Sequence, residues 1–228
     1  MNIYFLLEDS ISFYKVLSYW MNYILPNFFE VDNFAQLSKS GNHFFKQSGH
    51  GYPQVKDVVF EQTVQTILEQ KISLDYFVVI LDGDARNVQS IESDIGFFKS
   101  IFDKYQVKFN YRIFIIDRCF ETWLLGNCAK YVSASISEKF KPYSNFYDVS
   151  LYDPEKMNAP PNYSIPKYHC SYLQEMLRNA KDKKNYSKGS PLAVSTREYF
   201  DELYYRARNT TDLKSFRAFL DFLESFVH

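Results

Sequence analysis

Apolar residues in this chain come in two textures, short unbroken runs and stripes that recur every three or four positions. The run from Asn2 to Leu7 is of strand length and stops at Glu8-Asp9, which predicts a strand buried on both faces. From Ser12, Phe13, Leu17, Trp20 and Ile24 recur at helical spacing, and Pro26 closes that helix. Residues 38–52 hold serines, an asparagine and three of the seven glycines before Pro53, and predict a loop. Val55, Val58, Val59, Val64, Ile67 and Leu68 line one side of a second helix. Tyr76 to Leu81 is another unbroken run, rich in β-formers and ended by Asp82-Gly83-Asp84. Ile91, Ile95, Phe98 and Phe102 resume helical spacing, Phe109 to Ile116 reads as a further strand, and Phe120 to Leu125 opens a short helix.

Strands alternating with helices in this way predict an α/β fold with a parallel sheet flanked by helices. After about Tyr131 the texture changes. Five of the eight prolines fall between 141 and 168, among Tyr143, Tyr147, Tyr152, Tyr163 and Tyr168, which predicts an ordered connector and not a Gly/Ser linker. Helical spacing returns over Leu173 to Asn179, Leu192 to Arg208 and Leu213 to Phe226. The expected organisation is an α/β core over 1–130, a Pro/Tyr-rich connector over 131–170, and a helical C-terminal region over 171–228 packing on the core.

Composition narrows the function classes. With 46% hydrophobic and 23% charged residues, disorder and low-complexity readings are excluded. The 19% of aromatics falls mostly at helical spacing and is assigned to the core. A net charge of −1 announces no global field, so attraction to nucleic acid would have to be local or metal-assisted. Residues 171–228 carry ten positive and eight negative charges, which puts the acidic excess in the first 170. Cys119, Cys128 and Cys170 lack C-x-x-C spacing, against a disulfide framework or structural zinc and for a reducing compartment. His43 and His50, in the predicted loop, are expected to be exposed. No P-loop is present, so any ATPase would be another chain. Neither early apolar run suits a signal peptide or a membrane span, so the expected location is cytoplasmic.

Candidate chemistry sits where the strands end. Glu8 follows the first strand, Asp82 and Asp84 follow the second long run, and Glu121 lies just past the third. In open parallel sheets ligands bind at the carboxyl ends of strands, so these side chains could share a crevice. Converging carboxylates repel unless a cation neutralises them, and Mg²⁺ is commonly held by one or two carboxylates plus substrate phosphate. Singly, each has a plainer reading: a helix-start acid at Glu8, a turn at Asp82-Gly83-Asp84.

The order of these acids resembles a Toprim domain, shared by topoisomerases, primases and overcoming-lysogeny-type nucleases. The segments Ile3-Tyr4-Phe5-Leu6-Leu7-Glu8 and Val78-Val79-Ile80-Leu81-Asp82-Gly83-Asp84 stand where that family has its glutamate and its Asp-x-Asp. Phe120-Glu121-Thr122-Trp123-Leu124-Leu125 is similar to a signature of standalone Toprim proteins from prokaryotic defence loci. So is the tail, with Tyr186-Ser187-Lys188, Arg206, Arg208 and Ser215-Phe216. The chain departs from the pattern at Asp9, where many members have glycine, and at Ala85-Arg86, where a third acid often follows. The resemblance implies Mg²⁺ or Mn²⁺ held by Glu8, Asp82 and Asp84, with Glu8 also assisting proton transfer and Glu121 an additional ligand.

Five positive residues from Arg178 to Lys188 surround one aspartate. They read either as a solvated helix end or as a phosphate-contacting segment, with Lys181, Lys183 and Lys184 as nucleic-acid contacts; Arg86 reads either as a further phosphate contact or as a salt-bridge partner. The resemblance implies a lysine near the metal, and by position Lys188 is the catalytic candidate, with Lys184 its rival. The resulting expectation is a metal-dependent endonuclease, the toxic effector of an anti-phage defence system with a separate ATPase or sensor. Its rivals are a catalytically silent Toprim-like binding subunit and a metal-dependent nucleotide-sugar transferase.

Overall fold

A computed structural model describes residues 1–9, 11–38, 40–84 and 86–227. Its contacts divide the chain into two compact units. The first comprises Met1–Asp82 and Arg86–Ile115; the second comprises Gly83, Asp84 and residues 116–227.

The first unit is built on a five-stranded, all-parallel sheet, the α/β class that the sequence pattern predicts. Its strands are β1 (Asn2–Leu7), β2 (Phe29–Glu30), β3 (His43–Ser48), β4 (Tyr76–Asp82) and β5 (Asn110–Ile116), in the order β2-β3-β1-β4-β5. β1 is central, with Ile3 opposite Phe44 on one side and Tyr76 on the other. All six of its residues are buried, the consequence of a strand covered on both faces.

On one face, Tyr4, Leu6, Phe77, Val79 and Leu81 meet Phe60, Val64, Phe98 and Phe102. These last come from a π-helical turn (Val55–Phe60) running into α2 (Glu61–Glu69), and from α3 (Val88–Lys104). Rings interlock there: Phe60 stands edge-on to Phe98 at 4.6 Å, and Phe102 stacks on Tyr111 at 4.3 Å. On the other face lies α1 (Ser12–Ile24), burying Phe13, Val16, Leu17, Trp20 and Met21 and ending before Pro26.

Residues 38–52 are not one loop. They contain β3, and β2 precedes it, also unseen in the pattern. Lys46 and Gln47 interrupt the apolar run, yet Lys46 is buried. Its ammonium donates to the Tyr14 carbonyl at 2.6 Å, to the Ser18 hydroxyl, and pairs with Glu30 at 3.2 Å. Tertiary partners thus override a polar sequence. Within this strand His43 is half-buried, while His50 beyond it is exposed as expected.

The second unit is helical: α4 (Phe120–Leu124), α5 (Lys141–Phe146), α6 (Ile165–Asn179), α7 (Arg197–Asn209) and α8 (Lys214–Glu224). α6 begins two turns before the predicted Leu173, because Pro166 sits in its first turn, where no N–H is needed. The tyrosines before it form a packed aromatic group. Phe140 meets Tyr172 at 5.5 Å, Tyr143 meets Tyr168 at 5.4 Å, and Phe146 meets Tyr168 at 5.1 Å. No helix among the described residues is long and apolar enough to cross a membrane.

The turn after β3 depends on Gly49. Its amide donates to the Leu7 carbonyl at 2.6 Å, and a Cβ there would stand 2.3 Å from Val55 Cγ2. Val55 is fully buried and cannot retreat. Gly49→Ala is expected to cost about 2 kcal/mol through overpacking, read as a lowered urea midpoint with unchanged slope. An unchanged midpoint would show that the turn has slack.

Candidate functional site

In the first unit, two of the expected acids meet at the carboxyl edge of the sheet. Glu8 directly follows β1 and Asp82 closes the neighbouring β4. The Asp82 backbone N–H donates to Glu8 Oε2 at 3.1 Å, tying the two strand ends together. Glu8 is only 8% exposed, so its charge needs compensation. Arg86 supplies it, with Nη2 at 3.7 Å from Glu8 Oε2.

Arg86 is itself held in place. Its Nη1 donates to Asp94 Oδ2 at 2.8 Å, and its guanidinium lies over the Tyr52 ring at 4.7 Å. Asp94, on α3 and 2% exposed, also accepts from Lys56 at 2.7 Å and from the Tyr52 hydroxyl at 3.4 Å. The hydrogen bond to Asp94 raises the Lys56 pKa. The sequence pattern gave no sign of Asp94, Lys56 or Tyr52, since each looks like an ordinary polar residue of a helix or loop. Asp9 accepts from the Ile11 amide and the Ser12 hydroxyl at the start of α1.

In the second unit, the segment Phe120 to Leu125 is buried without exception. Each of its polar groups meets a different part of the tail. Glu121 Oε1 accepts from the Tyr186 hydroxyl at 2.9 Å and lies 3.5 Å from Lys188 Nζ. The Thr122 hydroxyl bonds His169 Nδ1 at 2.8 Å. The Trp123 indole donates to Ser215 Oγ at 2.7 Å, and its ring packs on Phe216 and Phe219. Ser215 in turn donates to the buried Glu155 at 2.5 Å, whose pKa burial raises. The Leu124 carbonyl accepts from Tyr199 at 2.7 Å. Cys119 and Trp123 are core.

The structure therefore joins Glu121 to Lys188 in one unit and Glu8 to Asp82 and Arg86 in the other. Asp84 belongs to the second unit, where its amide donates to the Arg118 carbonyl at 2.5 Å with φ of +47°. Of the basic segment, Lys181, Lys183 and Lys184 are exposed, and Asp182 is paired with Lys130 at 2.6 Å. Lys184 and Asp182 line a cavity of about 380 Å³ with Thr196 and Glu198. Arg206 is structural: buried, it pairs with Asp212 at 2.7 Å and donates to the carbonyls of Val149 at 2.6 Å and Tyr152 at 2.9 Å.

No three His, Cys, Asp or Glu side chains among the described residues are grouped to hold a metal ion. Glu8 and Asp82 are two acids at neighbouring strand ends, linked through the Asp82 backbone amide, and one or two carboxylates is the number of protein ligands Mg²⁺ commonly takes. The fold and this edge define an α/β protein with a polar, charge-compensated strand-end site. No family model, curated protein or solved structure matches the chain.

His169 gives the second unit a pH dependence. Burial, with the Arg118 charge second, pushes its pKa down to about 4 from an ordinary 6.5. The unfolded chain then binds a proton that the folded one refuses, so stability is full above pH 6.5 and falls toward pH 4. This one group accounts for about 3 kcal/mol across that window. Unfolding measured at pH 7.5, 5.5 and 4 should show a shallower acid loss in His169→Gln than in the parent. Parallel pH profiles would mean that the imidazole is protonated in the fold.

Proposed function

We propose that the chain is a Mg²⁺- or Mn²⁺-dependent nuclease that hydrolyses phosphodiester bonds, acting in the cytoplasm as the toxic effector of an anti-phage defence system alongside a separate ATPase or sensor. The observation that carries this reading is the placement of Glu8 and Asp82 at the carboxyl ends of adjacent parallel strands, joined by a hydrogen bond. Glu8 and Asp82 would hold the ion. A bound Mg²⁺ supplies Lewis acidity and lowers the pKa of water.

The protein's own groups do the remaining work. Arg86, clamped by Asp94 and Tyr52, presents a guanidinium of fixed orientation beside Glu8, suited to a substrate phosphate oxygen. Asp94 and Lys56 hold Arg86 and Tyr52 in register. The exposed Lys181, Lys183 and Lys184 would contribute salt-dependent phosphate attraction. Roles for Asp84, Glu121 and Lys188 rest on the Toprim resemblance alone.

A catalytically silent binding subunit is the second reading, favoured by the compensation of Glu8 by Arg86. Cleavage of plasmid DNA and of single-stranded RNA with Mg²⁺ or Mn²⁺ separates the two. Glu8→Gln and Asp82→Asn are each expected to lower a metal-dependent rate by at least about 100-fold. Equal cleavage by both variants would sink the nuclease reading. A parent that neither cleaves nor takes up Mn²⁺ in a titration would establish the silent subunit.

A further inference from the structure

The first unit holds a cavity of about 350 Å³ that the strand-end acids do not use. It opens beside Tyr4 of β1 and Gln47 of β3, under Phe34 and the first turns of α2. The reason for the opening lies in the sheet. β2 is two residues long and pairs with β3 only at His43 and Phe44, so on that edge no strand among the described residues runs beside β3 at the level of Gln47.

The polar wall is fixed in orientation. Burial raises the Tyr4 pKa far above the ordinary phenol value, so Tyr4 stays protonated and donates to Gln47 Oε1. The Thr63 hydroxyl donates to the same oxygen at 3.4 Å. With Oε1 taken twice, the amide of Gln47 is oriented, and its NH₂ donors are left for whatever enters. On α2, the Thr66 hydroxyl spends its proton on the Gln62 carbonyl at 2.7 Å, which leaves its oxygen as an acceptor. Gln62, exposed, adds an amide with one more donor face and one more acceptor.

No Lys, Arg, Asp or Glu lines this cavity among the described residues. His50, exposed, is the one imidazole on the lining; apart from it, a phosphate, carboxylate or ammonium entering would lose hydration without gaining a counter-charge. The wall therefore selects a neutral ligand that offers both donors and acceptors. Phe34, half-buried, gives it an aromatic flank suited to a flat ring. The volume lies at the small end of ligand sites.

We propose that this cavity binds a nucleobase, presented as a free nucleoside or as one base of a single strand, with Gln47 and Gln62 reading its hydrogen-bonding edge and Phe34 covering its face. The site does not depend on the nuclease reading, and the test excludes metal. Calorimetric titration of the full chain in EDTA would use adenosine, guanosine, cytidine, uridine and four homopolymeric hexanucleotides, with inorganic phosphate as the charged control. At least one nucleoside or hexamer should bind while phosphate does not. Gln47→Leu and Gln62→Ala should each weaken that binding about tenfold, the worth of one hydrogen bond lost with its partner left unpaired. Binding of hexamers alone, weakened in the same variants, would identify the polymer as the source of the base. Should Gln47→Leu fail to fold, the exposed Gln62→Ala decides. No binding by any probe, or binding untouched by Gln62→Ala, overturns the proposal.

Discussion

A carboxylate at the end of a strand with no exposed residue must be compensated, and much of the first unit's edge follows from that constraint. Glu8 leaves β1 at 8% exposure, where an unpaired charge would cost several kcal/mol. One Glu8 oxygen takes the Asp82 amide and faces Arg86, and this ties β1, β4 and the segment before α3 into one arrangement. The compensation then propagates outward. Arg86 needs Asp94, Asp94 needs Lys56, and Tyr52 covers the guanidinium from the loop after β3. Deleting a single member of such a chain takes a partner from its neighbours, so its parts are not independent.

The second unit answers a different constraint. α4 is one and a half turns long, too short to be stable by itself. It exists because Phe120 through Leu125 are wholly enclosed, with each polar group drawn to a separate stretch of later chain. The glutamate reaches the Tyr186 turn, the threonine reaches α6, and the tryptophan reaches the start of α8. A sequence that keeps Phe-Glu-x-Trp-Leu-Leu therefore has a structural reason to keep Tyr186, Ser215 and Phe216 as well.

Legibility in the sequence tracked burial. β1 and β4 are apolar on both faces and stood out as unbroken runs, and α1 and α8 showed their stripes. β3 did not, because its inward Lys46 is satisfied by Tyr14, Ser18 and Glu30, residues that no local pattern connects. α6 was read short because prolines look like breaks until one of them proves to be in a first turn. At the site, Glu8 and Asp82 were legible as acids following apolar strands. Asp94, from the middle of a helix, was not, since its burial is created by Arg86 and Lys56 arriving from other segments. Glu121 was visible, but its enclosure by Tyr186 and Lys188 was not.

The position of β1 also bears on how the chain reaches its fold. It precedes both neighbours in the chain, and Ile3 must wait for Phe44 on one side and for Tyr76 on the other. During synthesis, at roughly 5–20 residues per second, its apolar run stays uncovered for several seconds. Long-range parallel pairing of this kind is intrinsically slow, and a bare β-forming segment is an aggregation hazard until it is paired. Glu8 and Asp9 stand directly after that run, so the charges that finish the strand in the native state also guard it against self-association in the nascent one.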